Sequence, residues 1–128
     1  MIPFVIGGLA GISVLLLMRY AGMSRSRDGY AVVLVAIALF WPVFAAEAAD
    51  WYAFAGQSAG LLLFTFIALK ARVTGLFWLG AAIAGHGALD LGLAWADAPG
   101  PAWWPALCGG LDLVVGGTLM YQTRSETL

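Results

Sequence analysis

The chain has 128 residues, of which 62% are hydrophobic and only 10% are charged, and its mean hydropathy is +0.92. Soluble domains carry about a quarter charged residues, so this composition indicates a single integral membrane domain over residues 1–128. The net charge of −1 gives no reason to expect nucleic acid as a partner, and the single cysteine excludes an intramolecular disulfide and multi-cysteine zinc sites.

Five apolar segments follow one another along the chain, at residues 2–18, 30–49, 51–69, 76–95 and 104–121. Each approaches the roughly 20 residues with which a helix crosses a bilayer. We therefore predict an all-α bundle of five transmembrane helices. The second and third segments nearly touch between Glu47 and Asp50, which leaves an alternative of four helices in which these two segments merge.

The basic residues favour the five-helix arrangement, because all of them then fall on one side of the membrane. They are Arg19, Arg25, Arg27, Lys70, Arg72 and Arg124. The alternate connections hold Glu47, Asp50 and Asp97, with no Lys or Arg. The positive-inside rule makes the basic side cytoplasmic. This predicts an N-terminus outside and a C-terminus in the cytoplasm.

Small residues in the first and last segments predict close helix packing. Gly7 and Gly11 form a small-xxx-small pair. Gly110, Gly116 and Gly117 reduce the side-chain bulk of parts of the fifth segment. Such residues let helix backbones approach where lipid supplies no hydrophobic drive for association. The same faces are also suited to self-association, so a homo-oligomer or a larger membrane assembly is a possible state.

The connection before the fifth segment is rich in proline and tryptophan, with Pro99, Pro101, Trp103, Trp104 and Pro105. Tryptophans at the ends of membrane spans commonly anchor a protein at the interface. A second interpretation is that this connection forms a lid over a site in the outer half of the bundle.

Two pairs of polar residues interrupt the apolar segments, and each pair is spaced four residues apart. His86 precedes Asp90, and Cys108 precedes Asp112. This spacing places both members of a pair on one helix face. Ionisable groups inside a membrane span cost several kcal/mol when they face lipid, so they usually face a bundle interior, a partner or a wet cavity. These four residues are the predicted ligand-binding site.

Further polar residues fall at similar depths in other segments. With a rise of 1.5 Å per residue, Asp90 and Asp112 lie roughly 8 and 12 Å below the outer end of their helices, and Gln57 and Ser58 lie roughly 9 to 11 Å below it. Glu47 and Asp50 are at the outer rim. We treat these last four residues as a secondary polar set.

Imidazole, carboxylate and thiolate groups are ligands for divalent transition metals, and the two pairs together offer a tetrahedral set. Neighbouring antiparallel helices with ligands at i and i+4 present two donors each, as metal sites in helical bundles do. Two other interpretations stay open. The carboxylates can share a proton with the histidine as a relay or acid–base pair, or the group can simply hold the helices in register.

The order His86-x3-Asp90, a proline-containing connection, then Cys108-x3-Asp112 resembles a family of small bacterial multi-span membrane proteins with no assigned activity. The resemblance covers the last third of the chain, and it implies a location in the bacterial inner membrane. Members of that family tend to have Trp before the first Asp and a His pair soon after it. This chain has Leu89 at the first place and residues 91–94 without histidine, so the resemblance does not imply a histidine-rich ligand set.

Three functions are compatible with these features. The favoured one is an outward-facing intramembrane site that binds a metal ion or a small cation. The second is a membrane enzyme that uses the same residues on a lipophilic or periplasmic substrate. It predicts an apolar cavity that opens to lipid beside His86. The third is an accessory subunit of a larger membrane complex.

Overall fold

The computed structural model describes residues 1–124, which form five helices joined by short connections and contain no strand. The helices are α1 (Ile2–Tyr20), α2 (Arg27–Glu47), α3 (Trp51–Thr74), α4 (Leu76–Trp95) and α5 (Trp104–Thr123). The prediction of an all-α protein with five helices is confirmed. Because α2 and α3 are separate helices, the alternative in which their segments merge is wrong.

The connection between α2 and α3 is set by local hydrogen bonds at both helix ends. At the end of α2, Ala49 adopts a left-handed conformation with φ 53°, and the Asp50 amide donates to the Ala45 carbonyl at 3.0 Å. Asp50 then begins α3 as its N-cap, because its Oδ1 accepts a hydrogen bond from the Ala53 amide at 3.0 Å. The cap satisfies a donor that the helix itself cannot pair.

Helices α1 to α4 are each long and apolar enough to cross a membrane. Helix α5 has 20 residues, as α4 does, but it is less apolar, because its sequence includes Thr118, Gln122 and Thr123. Large apolar residues point away from the bundle, as Leu62, Leu63 and Phe66 do on α3. A soluble monomer rarely exposes so much contiguous apolar surface, whereas hydrocarbon accommodates it.

The contacts between helices show their relative directions. Gly87 of α4 faces Asp112 of α5, while Gly80, two turns earlier on α4, faces Gly116 further along α5, so these helices are antiparallel. Gly7 and Gly11 of α1 meet Leu107 and Leu111 of α5 in the same order, so α1 and α5 are parallel.

Helices α2 and α3 are antiparallel as well, because Arg72 near the end of α3 pairs with Asp28 near the start of α2 at 2.8 Å. Successive helices therefore alternate in direction. All six basic residues lie near the end of the bundle where α1, α3 and α5 finish, while Glu47, Asp50 and Asp97 lie at the opposite end. Which of these ends faces the cytoplasm stays a prediction.

Glycines bring α5 into backbone contact with two neighbours. A Cβ atom on Gly7 would overlap the carbonyl of Leu107, and one on Gly110 would overlap that of Phe4. On the opposite side of α5, a Cβ on Gly116 would lie 2.5 Å from the Gly80 carbonyl oxygen. The prediction of packing glycines is thus confirmed for Gly7, Gly11, Gly110 and Gly116. Gly117 has open space around it and packs against no helix of this bundle, so a role for it in self-association stays a prediction.

The apolar core fills the half of the bundle nearer the basic end. Its fully buried members include Leu34 of α2, Leu79 and Ile83 of α4, and Val115 and Leu119 of α5. His86 follows Ile83 by one helical turn, and Asp112 precedes Val115 by nearly one turn. The polar group therefore lies directly beyond the core, toward the acidic end.

Candidate metal centre

His86 is at the centre of a buried polar group that joins α4 to α5. Its Nδ1 lies 2.9 Å from Oδ2 of Asp112 and 3.5 Å from Oδ2 of Asp90. His86 is 2% exposed, and both carboxylates are fully buried. The prediction that segments four and five lie side by side, with these groups turned toward each other, is confirmed for these three residues.

The local sequence explains how the three side chains meet. His86 and Asp90 are one turn apart on α4, so both face α5. Between them, Gly87 lets the helices come close, because a Cβ at this position would lie 2.9 Å from the Cβ of Asp112. A larger residue at position 87 would push α5 away and lengthen the distance from imidazole to carboxylate.

Trp41 of α2 is a member of the group that the sequence analysis missed. Its Nε1 donates a hydrogen bond of 2.7 Å to Oδ1 of Asp90, and the residue is buried. A tryptophan inside an apolar segment, rather than at its end, was the available signal. A buried indole N–H needs an acceptor, and few acceptors exist within a membrane bundle.

Phe64 of α3 forms the remaining wall of the group. Its ring centroid is 4.8 Å from that of His86, at an interplanar angle of 80°, which is an edge-to-face arrangement. Four helices, α2 to α5, thus contribute to the surroundings of His86. The aromatic side chains of Phe64 and Trp41 shield the imidazole and Asp90 from lipid.

The secondary polar residues do not join this hydrogen-bonded group. Glu47 and Asp50 are exposed at the acidic end, where Asp50 serves as the N-cap of α3. Gln57 and Ser58 are half-buried on α3, one to two turns nearer the acidic end than Phe64. Their proposed role in ligand binding stays a prediction.

Cys108 is buried on α5, one turn before Asp112. Within residues 1–124, the donor atoms that lie within 4.8 Å of one another come from His86, Asp90 and Asp112, and the Cys108 sulfur is not among them. The structure therefore brings together three of the four primary candidates. A thiolate ligand from Cys108 stays a prediction.

An aromatic cluster lies between this group and the acidic end of the bundle. Trp104, the first residue of α5, packs on Phe40 and Phe44 of α2 with ring centroids 4.6 and 5.2 Å apart. Phe44 in turn contacts Trp41 edge-on at 6.1 Å. Trp104 is thus connected through Phe44 to a direct partner of Asp90. The interpretation of the connecting segment as a lid stays a prediction.

Two carboxylate oxygens in the group are buried without a hydrogen-bond partner. They are Oδ2 of Asp90 and Oδ1 of Asp112. Burying a polar oxygen without compensation costs several kcal/mol, and burying an unpaired charge costs more. Since His86 is shared between both carboxylates, the three side chains do not satisfy one another. A cation among them, or a proton shared between the two carboxyl groups, would supply the interactions that these oxygens lack.

The distances suit a metal ion of transition type. Such ions bind imidazole nitrogen and carboxylate oxygen at about 2.0–2.2 Å, which places neighbouring ligand atoms roughly 3–3.5 Å apart in a tetrahedron. The separations of Nδ1 from the two Oδ2 atoms, 2.9 and 3.5 Å, already lie close to that range. Two carboxylates and a neutral imidazole would also balance the charge of a divalent ion.

Comparisons with known proteins add no family to this description. No family model matches the chain, and no curated protein or solved structure matches it significantly. The resemblance to small bacterial multi-span proteins therefore stays a prediction.

Proposed function

We propose that this protein is an integral protein of the bacterial inner membrane whose His86, Asp90 and Asp112 bind a divalent transition metal ion. The observation that carries the proposal is the pair of buried carboxylate oxygens without partners beside a shared imidazole. A structural role without an ion or a shared proton would require each of these groups to be satisfied by its neighbours, and two oxygens are not.

The ligand types favour a transition metal over Mg²⁺ or Ca²⁺. Imidazole suits zinc, copper, iron and nickel, whereas hard cations prefer sites made of oxygen ligands alone. With three protein ligands, a tetrahedral ion keeps a fourth position for water or another small ligand. The site lies nearer the acidic end of the bundle, which the positive-inside rule places outside the cytoplasm. An ion would then enter past the aromatic cluster of Trp104.

The proposed enzyme function has less support in the structure. An apolar cavity of about 410 Å³ does open on the surface of the bundle, but it lies between α2 and α3 near the basic end. Its walls include Ala31, Val35 and Ala68, and not His86. Metal binding therefore accounts better for the buried group.

The proposal is tested by the metal content of the purified protein in detergent. Wild type is compared with the ligand variants His86→Ala and Asp112→Asn, and with Cys108→Ala. Asp97→Asn serves as the matched control, because Asp97 is exposed at the same end of the bundle and Asn also tolerates its φ of 53°.

We expect zinc to bind wild type with a stoichiometry of about one, as for a three-ligand site. Asp97→Asn and Cys108→Ala should retain this stoichiometry. His86→Ala and Asp112→Asn should lose at least about tenfold in zinc affinity, since even the loss of an outer-shell partner costs 10–100-fold. Equal and negligible zinc in all five samples would overturn the proposal.

A further inference from the structure

Two adjoining depressions mark the surface of α2 and α3 near the basic end of the bundle, well away from the buried polar group. The first is the apolar cavity of about 410 Å³. The second is a pocket of about 580 Å³ formed around the start of α2 and the end of α3. Both are bordered by Asp28 and Arg72, so they are continuous across this ion pair.

The walls of the first depression are made of small and aliphatic side chains. Its apolar lining consists of Ala31, Val32, Val35, Ala36, Ala68 and Leu69. From Asp28 to Ala36 the groove follows α2 for roughly 12 Å. Because the groove lies on the outer surface of two apolar helices, its natural occupant is a hydrocarbon chain of the surrounding lipid.

The second depression is basic. Three arginines, Arg25, Arg27 and Arg72, line it together with one acidic residue, Asp28. Arg72 pairs with Asp28 at 2.8 Å, and Arg27 Nη1 lies 3.5 Å from the carbonyl oxygens of residues 72 and 73. These contacts hold two guanidinium groups at the end of the groove, where a lipid headgroup would be.

The start of α2 adds backbone donors to this pocket. Ser26, the N-cap of α2, lines the pocket, and its Oγ accepts a hydrogen bond from the Gly29 amide at 2.9 Å. The preceding amides of the first turn have no acceptor within the helix. The N-terminus of a helix favours an anion through these N–H groups and its dipole, so it reinforces the arginines.

We propose that the groove and the basic pocket together bind one anionic phospholipid. An acyl chain would lie against the small residues between α2 and α3, and the phosphate would lie among Arg25, Arg27 and Arg72. The charge of the pocket selects an anionic lipid, because a zwitterionic headgroup would bring its own positively charged ammonium group close to the arginines. Basic pockets between membrane helices are suited to anionic headgroups on the cytoplasmic side.

The test is native mass spectrometry of the full-length protein, released from mild detergent after incubation with phosphatidylglycerol or with phosphatidylcholine of the same acyl chains. Arg25→Gln/Arg27→Gln removes two charges from the pocket, and Ala36→Phe fills the groove from an exposed position. Arg19→Gln and Ala55→Phe are the matched controls, since both residues are exposed and neither lines the depressions.

We expect wild type and both controls to retain one phosphatidylglycerol in preference to phosphatidylcholine. Each arginine near an anionic headgroup contributes roughly fivefold in affinity, so the double variant should bind roughly 25-fold more weakly. The Ala36→Phe variant should lose the bound phosphatidylglycerol although its three arginines are unchanged, because the groove is filled.

Thermal unfolding of the same samples gives a second readout. Phosphatidylglycerol should raise the melting temperature of wild type, and an excess of inorganic phosphate should not. Equal retention of phosphatidylcholine by wild type would overturn the proposal. So would an unchanged adduct in Ala36→Phe, or a shift in melting temperature produced by phosphate alone. These outcomes can be read even when the double arginine variant does not fold, and none depends on the metal site.

Discussion

The indole Nε1 of Trp41 donates a 2.7 Å hydrogen bond to Oδ1 of Asp90, and this bond ties α2 to the polar group shared by α4 and α5. Within residues 1–124 it is the one hydrogen bond to the Asp90 carboxylate, since Oδ2 of the same carboxylate has no partner. Trp41 thus orients Asp90 so that Oδ2 faces His86. Holding a ligand in position through its second oxygen is a common role for residues around a metal site.

Trp41→Phe should therefore destabilise the protein and weaken metal binding together. The change leaves both oxygens of Asp90 unpaired in the bundle interior, and an unsatisfied buried acceptor costs about 1–3 kcal/mol. We expect a lower melting temperature in detergent and a zinc affinity reduced by about tenfold, as for other outer-shell changes.

The control for this change is Trp95→Phe, because Trp95 is 92% exposed. It should leave both the melting temperature and the zinc affinity at wild-type values. If the Trp41→Phe variant has the same melting temperature and zinc affinity as wild type, the hydrogen bond is dispensable.

Gly116 and Gly117 provide a test of helix packing at adjacent positions. A methyl group at Gly116 would lie 2.5 Å from the Gly80 carbonyl oxygen and from the Ala84 amide nitrogen, whereas Gly117 has open space. Gly116→Ala should force α4 and α5 apart and cost about 1–3 kcal/mol, as overpacking of an interior does.

Gly117→Ala should leave stability unchanged or raise it slightly, because alanine is the better helix former. Reversible unfolding of the two variants in mixed detergent micelles measures the difference. Equal stabilities would mean that α4 and α5 do not touch at this point.

Ala49 offers a stabilising substitution in the connection between α2 and α3. Its φ of 53° places a non-glycine residue in the left-handed region, which costs roughly 1–2 kcal/mol for an L-amino acid. Ala49→Gly should relieve this strain and raise the melting temperature.

Ala48→Gly is the neighbouring control, since Ala48 has an ordinary φ of −76°. It should be neutral or destabilising, because glycine there only adds freedom to the unfolded chain. A melting temperature that falls in both variants would contradict the strain at Ala49.

The candidate centre shows how far spacing alone can predict a site. The i, i+4 relation of His86 and Asp90 made them neighbours on any helix, and an intramembrane carboxylate such as Asp112 requires a partner. Cys108 has the same spacing from Asp112, yet its sulfur is not among the clustered donor atoms. A spacing of four residues brings two side chains onto one helix face, but it does not determine their rotamers or how deeply they are buried.

The sequence by itself determined the number of helices, their alternating directions and the gathering of basic residues at one end. It could do so because a chain in hydrocarbon must pair its backbone groups internally, so long apolar segments become helices. The connections are alternately basic and acidic, and this alternation predicts on which side of the membrane each connection lies.

Only the tertiary structure decided how each helix is rotated about its axis. Where core and lipid are equally apolar, hydrophobic periodicity does not distinguish the inner face of a helix from its outer face. Rotation is set instead by close contacts such as that of Gly87 with Asp112. The packing of helices α2 to α5 places Trp41 beside Asp90 and Phe64 beside His86, and it leaves a groove between α2 and α3. Spacing along the chain encodes none of these features.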